Sequence, residues 1–418
     1  MSPPMRSGIK VILVLGITLF SIGAQCAPIG LARRGLAGEA VFDVTQFGAK
    51  GNGMGDGALA FIRTWRAACD SLGPVVIRIP MGKFNVGKVV FNGPCRANPI
   101  RIDLQGTVLQ TKDPSAMSGN EPAWIISGVT GLTFSGGGTI NGQGEFVWKY
   151  NAGGKSLLPI GLMFQKASFC TIDNINFVNA KGVHFKVTSS NDVLVRNLHI
   201  TAPRESPNTD GIVISNSDRI TVADCNIATG DDCVAIGDTN SFINVTRVTC
   251  GPGHGLSIGS LGKRLNEGDV KHVRVWNCTL TGTTNGARIK TYMGSHALQV
   301  QDVVFEDIIM NDVLNPVLID QHYMAKKAKS PSKVHISDVH FRFIRGTSAS
   351  PIPVSLGCSE SDNCEGVELR EIDLVPAPGS KFIRGPLITE CVNAKYSIIG
   401  RFPTLGCGGK APKSKIKN

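Results

Sequence analysis

The chain has 418 residues, carries a formal net charge of +11 and is 42% hydrophobic, which excludes a disordered chain. Glycine is abundant at 49 residues, whereas aromatics make up 6% and charged residues 18%, the latter below the usual quarter or so. This balance implies many turns and a core of β-branched side chains, and the positive charge calls for an acidic partner: nucleic acid, anionic lipid or anionic polysaccharide.

At the N-terminus, Arg6 and Lys10 precede an apolar run over 11–22, and the small residues Gly23, Ala24 and Ala27 follow. A short basic region, an apolar stretch of about 7–15 residues and then small residues form the pattern of a secretory signal peptide. The run is shorter than the ~20 residues that span a bilayer. Residues 1–27 are therefore expected to be removed, with cleavage between Ala24 and Ala27. That lowers the net charge from +11 to +9, since Arg6 and Lys10 go with the leader. The mature protein is expected to be secreted, free of membrane spans and monomeric.

Twelve cysteines, with Cys26 in the leader, suit an oxidising compartment. Short spacings suggest Cys358 with Cys364, Cys391 with Cys407, and further Cys69 with Cys95 and Cys233 with Cys250, although sequence alone leaves pairing open. No CxxC pair or Cys/His cluster has the spacing of a zinc site, so no metal is expected. Two sequons, at Asn244 and Asn277, are glycan acceptors in a secreted chain where they are surface exposed.

The first element in chain order is a helix over 57–70. Leu59, Phe61, Ile62, Trp65, Ala68 and Cys69 are spaced for one apolar face, which suits the N-terminal cap of a solenoid.

A repeat follows: apolar, any, apolar, any, polar, apolar, any, apolar. It fits 170–177, 193–200, 220–227, 243–250, 273–280, 303–310, 334–341 and 367–374, and 132–140 is an imperfect earlier copy. Successive starts are 23, 27, 23, 30, 30, 31 and 33 residues apart, the signature of stacked units. Period-2 spacing makes each unit a strand with one inward face, and the polar fifth position bends it. A second short strand follows at 211–214, 233–236, 255–258 and 287–290. Such units describe coils of an all-β, right-handed parallel β-helix, one domain over 28–409. Cys170, Cys225 and Cys278 fall on inward positions and read as buried small hydrophobes. The cysteine-rich stretch 358–407 would cover the far end, and 410–418, with four lysines, would be a disordered tail.

Four segments depart from ordinary turn chemistry: 206–211 (SPNTDG), 229–233 (TGDDC), 251–255 (GPGHG) and 286–290 (GARIK). They occupy consecutive coils, and coils stack about 4.8 Å apart, so Asp210, Asp231, Asp232, His254, Arg288 and Lys290 should form one strip. Singly, each has a bland reading. A lone Asp makes an Asx-turn, and Arg288 and Lys290, alternating with Ile289, would be solvated surface. Adjacent Asp231 and Asp232 would point to opposite sides if extended. Together, three acids raise one another's pKa, which points to use. Calcium would want more oxygen ligands than three carboxylates supply. Glycosidic hydrolysis fits instead, one carboxylic acid protonating the leaving oxygen and a carboxylate activating water, with the cations holding an acidic sugar.

The four segments, with FDVTQFGAKGNG near residue 42, resemble the polygalacturonases of glycoside hydrolase family 28 over roughly 40–400. SPNTDGI, SIGSLGK and NGARIK are more similar to the pollen-type exo enzymes of plants. The resemblance implies an inverting mechanism without a cofactor, acting on polygalacturonic acid of the cell wall rather than on nucleic acid. It implies Asp231 as general acid, Asp210 and Asp232 as holders of the water, and His254 as the group tuning the acid. It further implies Arg288, Lys290, Tyr323 and Asn208 in substrate binding. Met324 stands where the family often has a cysteine, so one disulfide should be missing, and Asn52 and Met54 depart from its acidic turn. Endo action, a rhamnogalacturonan or xylogalacturonan hydrolase, a calcium-dependent lyase and a non-catalytic pectin-binding protein are the competing readings. Loops at 311–333 and beside Asp210 would decide between endo and exo action.

Overall fold

Two columns of left-handed backbone set where each coil turns. Asn174, Asn197, Asp224, Arg247, Asn277, Asp307, Phe343 and Glu371 all have φ between 50° and 55° in the computed structural model. Five of the eight are Asn or Asp, the non-glycine residues that enter this region at least cost. A second column lies five residues upstream at Phe169, Asp192, Arg219, Phe242, His272, Asp302 and Asp338. The structure describes residues 38–113, 121–151, 158–325, 330–380 and 385–405. The expected leader, the expected tail and Cys407 lie outside these residues.

Between the bends the strands pair in parallel, coil on coil. Cys170 aligns with Val193, then Ile220, Ile243, Val273 and Val303. The next partner of Val303 is Val339, not Val334. The repeat over 334–341 is therefore five residues out of frame, and the true unit begins at Val339 with its bend at Phe343. The upstream bend at Asp338 is flanked by the same apolar rhythm, which is why the frame slipped.

A second sheet has twelve strands in strict chain order among the described residues, one per coil, from Val89–Asn92 to Thr404–Leu405. Its middle strands are Phe185–Thr188, Ile212–Ser215, Val234–Ile236, Leu256–Leu261, Asn285–Tyr292 and Asn315–Tyr323. Their inward residues Phe185, Ile212, Val234, Leu256, Ala287 and Val317 stack fully buried. Each large one removed from water contributes about 1.5–3 kcal/mol. The fold is a parallel β-helix whose core is a pile of such rungs. Much of the stretch 311–333 is strand, so it is not the long loop expected from sequence.

The helix Ala58–Asp70 packs on the first coils through Phe61, Trp65, Ala68 and Cys69. Trp65 stacks on Phe91 at 5.0 Å and donates its Nε1–H to the carbonyl of Asn92. Leu59 was expected on this face but is 66% exposed, because it lies about 200° around the helix from Phe61. Disulfides join Cys69 to Cys95, Cys233 to Cys250 and Cys358 to Cys364. Cys170, Cys225 and Cys278 are buried, and burial pushes the latter two thiols up to about 12. The stretch after Cys358 continues the coils through Cys364–Pro376, Ile388–Val392 and Ala394–Ile399 rather than forming a separate lid. Of the two sequons, Asn277 is exposed on a bend and Asn244 is half-buried on a strand. No helix among the described residues is long and apolar enough to cross a membrane.

Candidate active site

Register alone assembles the site. Ile212, Val234, Leu256 and Ala287 are successive partners. Asp210, Asp232 and His254 each stand two residues before one of them, and Arg288 and Lys290 follow Ala287 on its outward side. Residues 230–233 are bent rather than extended, so Asp231 and Asp232 serve the same face. The segments approach too closely for side chains at their glycines. A Cβ on Gly230 would lie 2.0 Å from the carbonyl oxygen of Ser206, and one on Gly255, at φ +95°, 2.1 Å from that of Asn285. The Cys233–Cys250 disulfide ties TGDDC to the strand end that leads into GPGHG.

Asp232 is 1% exposed and fully engaged. Its Oδ1 accepts from Ser257 Oγ at 2.8 Å and from Arg288 Nη2 at 2.6 Å, and its Oδ2 accepts from Lys290 Nζ at 2.7 Å. Arg288 and Lys290 do face away from the core, yet they are only 8% and 7% exposed, because this carboxylate and the cleft walls cover them. Arg288 also donates Nε–H to Ser257 at 3.0 Å. Among the described residues, Lys290 makes one of its three possible N–H hydrogen bonds and Arg288 makes none through Nη1.

Asp231 meets His254, with Nδ1 2.9 Å from Oδ1. Asn208 donates Nδ2–H to Asp231 Oδ2 at 3.3 Å, so Asn208 positions an acid as well as lining the cleft. Burial pulls the Asp231 carboxyl up, but the hydrogen bond and charge of His254, with Lys290, outweigh it and hold Asp231 below the usual carboxylate range. Asp210 goes the other way. Burial first, then the charges of Asp231 and Asp232, hold its carboxyl well above 3.8 against the pull of Lys290. Tyr323 packs edge-on against Tyr292 at 5.3 Å, and Lys290 Nζ sits 5.5 Å from the Tyr323 ring centre.

Asp210, Asp231, Asp232, His254, Arg288, Lys290, Tyr323 and Asn208, all singled out from sequence, thus share one cleft. Three supports were missed. Ser257 bridges Asp232 and Arg288. Thr209 accepts the Gly230 N–H at 3.0 Å, clamping SPNTDG onto TGDDC. His184 is fully buried beneath Asp210, donating Nδ1–H to the Asp210 carbonyl at 3.0 Å, and burial pushes its pKa down to about 4, so it stays neutral. Thr209 lies within SPNTDG and Ser257 opens SIGSLGK, yet neither string marks a role for that side chain, and His184 lies in no motif. Only the register, which puts Ser257 beside Arg288, could have flagged that serine.

Donor atoms of Asp231, Asp232 and His254 lie within 4.8 Å of one another. They do not suit a metal ion, because both oxygens of Asp232 are taken by two cations and a hydroxyl, and those cations would repel another.

The family model of glycosyl hydrolases family 28 matches residues 69–396. An exopolygalacturonase of Arabidopsis thaliana is 43% identical over 351 residues, covering 82% of each chain. A polygalacturonase of Gossypium barbadense is 40% identical over 382 residues, 89% of this chain and 92% of its own. Among solved structures, an endo-xylogalacturonan hydrolase from Aspergillus tubingensis superposes with a TM-score of 0.75 at 24% identity, covering 89% of this chain and all of its own. A hyperthermoactive exopolygalacturonase from Thermotoga maritima gives 0.70 at 17% identity, covering 86% and 90%. Both likenesses concern the fold, a right-handed parallel β-helix.

Proposed function

The chain belongs to glycosyl hydrolases family 28, and from that premise we propose that it is a secreted polygalacturonase, cleaving α-1,4-galacturonosyl bonds of de-esterified pectin in the cell wall from a chain end and with inversion. The observation that carries the reading is the pairing of two kinds of acid beside two cations. Asp231 is held by His254 and Asn208, and Asp232 by Ser257, Arg288 and Lys290. The exo assignment is supported by the names of plant relatives.

In this reading Asp231 protonates the leaving oxygen, and Asp210 and Asp232 hold and activate water on the opposite face, with donor and base about 6.5–9.5 Å apart to admit it. The free donors of Lys290 and Arg288 take a substrate carboxylate, which Tyr323 flanks. The raised Asp210 holds a proton more readily than the lowered Asp231. A bound carboxylate brings negative charge beside Asp231 and draws on the field of Lys290, and both effects raise Asp231 so that it can carry the proton it donates. His254 sets that balance by its hydrogen bond. The chemistry needs no cofactor.

Purified protein should release reducing ends from polygalacturonate, with monomer from the first minutes, and Asp231→Asn should lower the rate by about 10³-fold or more, the scale on which a catalytic acid contributes. Full activity in that variant sinks the assignment. Mixed oligomers at early times overturn the exo part alone, and unsaturated products abolished by a chelator would favour a lyase.

A further inference from the structure

The floor of the cleft holds a third cation that the reaction as described does not use. The outward row of the second sheet reads Met163, Lys186, Val213, Ala235, Ser257, Arg288 in successive coils. Lys186 and Arg288 are the cations of this row, and the residues between them are small or apolar. Four strand steps separate the two, roughly 19 Å. Asp210, Asp231 and Asp232 lead into the strands that lie between.

Lys186 is half-buried, and among the described residues no hydrogen bond or ion pair engages its ammonium. The charged groups that face it are Arg264, Asp238 and Asp210. Asp238 is already engaged by Arg264 at 3.3 Å. Asp210, whose carboxyl is raised by its burial and its acid neighbours, makes no hydrogen bond or ion pair with Lys186 among the described residues. Burial and the charge of Arg264 accordingly pull the Lys186 pKa down. A half-buried cation that neither facing acid reaches is an incomplete pair, and an anion entering the cleft would complete it.

We infer that Lys186 binds a second carboxylate of the polyuronate, on the other side of the acids from Arg288 and Lys290, so that the chain is held by charge at both flanks of the reacting bond. The inference rests on the functional reading above and deepens it. A free carboxylate is required at the Lys186 flank, and a methyl-esterified or neutral sugar there leaves the ammonium unpaired. Sites built to pair a polar group reject analogues lacking it more strongly than apolar pockets reject a missing methylene.

The test is Lys186→Met, which keeps the bulk of the side chain, with Lys186→Arg as the rescue. On polygalacturonate, Lys186→Met should raise KM about tenfold or more while kcat changes less than twofold, the range expected for a hydrogen bond to a charged group. Lys186→Arg should restore most of the loss. Wild-type KM should rise with partial methyl esterification and with salt more steeply than that of Lys186→Met. Unchanged KM in Lys186→Met, or equal sensitivity to esterification in both proteins, overturns the inference. Wild-type protein inactive on polygalacturonate overturns the functional reading instead. Titration of oligogalacturonates into wild type and Lys186→Met then still decides whether Lys186 binds them, equal affinities counting against it.

Discussion

Two ladders of carboxylates and cations run across the coils, and they differ in one respect. On the outward face of the sheet that carries the left-handed bends, the outer ladder, Arg196 reaches Asp173, Arg219 reaches Asp192, Arg247 reaches Asp224 and Arg345 reaches Asp307, each an arginine pairing with an acid of the preceding coil. In the cleft, Arg288 and Lys290 reach Asp232 in the same inter-coil fashion. The outer arginine side chains are 47–53% exposed, whereas those of Arg288 and Lys290 are 9% and 8%. Water and salt screen the outer ladder, so it adds little to the fold. The cleft ladder has lost its water, so removing one member leaves bare charge behind. The same repeat geometry therefore yields decoration on one face and a preorganised charge cluster on the other, and burial is what separates them.

The comparison breaks most sharply at Asp232. Asp232→Asn leaves Arg288 and Lys290 buried without their counter-charge, and loss of one partner from a buried pair costs about 3–5 kcal/mol. Urea unfolding should show that loss, and polygalacturonate hydrolysis should vanish. The further change of Arg288 and Lys290 to Met in the same chain should return much of the stability and none of the activity. Stability that stays low in the triple variant would mean that Asp232 acts through packing rather than charge.

Much of this was legible from residues. The polar fifth position announced a bend in each coil, because Asn and Asp enter the left-handed region cheaply, and stacked bends put four motif segments in one strip. The copy at 334–341 misled because a five-residue interval separates two bends flanked by the same apolar spacing. What composition and spacing could not give is burial. Arg288 and Lys290 look like any alternating surface cations, and Lys186 like a solvated lysine, until the register sets them on a cleft floor. Ser257, through two hydrogen bonds, and His184, through one, act on partners one coil away, a relation that no local pattern encodes. Leu59 shows the converse, an apolar residue that local spacing assigned to the core and helix phase turned outward.

Asp210 offers a weaker but signed effect. Its carboxyl is raised above 3.8 on folding, so the folded protein holds the proton more tightly than the unfolded chain does. That contribution is fully present below the ordinary carboxylate pKa and is lost as pH rises through the raised folded value. Asp231, lowered on folding, contributes in the opposite sense, above the ordinary range, and loses its contribution as pH falls. Asp210→Asn should therefore melt at a higher temperature than wild type at pH 7, and the gap should close as pH falls toward 4. Melting curves for both proteins across that range test it; a gap that widens toward low pH would contradict the raised carboxyl. The same variant should be inactive, which separates the stability gain from any gain in function.

The smallest effect belongs to the outer ladder. Arg247 pairs with both oxygens of Asp224, through Nε at 2.6 Å and Nη2 at 2.8 Å, a better geometry than many buried pairs achieve. If geometry alone governed the energy, Arg247→Ala would be costly. Because the guanidinium lies open to water, the unpaired Asp224 is simply rehydrated. Arg247→Ala should leave the melting temperature and kcat/KM at the wild-type values, and added salt should not separate the two proteins. A clear drop in melting temperature would show that the bend at Arg247, one of the left-handed positions occupied by neither Asn nor Asp, depends on this ion pair to hold its backbone, and the two ladders would then differ less than their exposure implies.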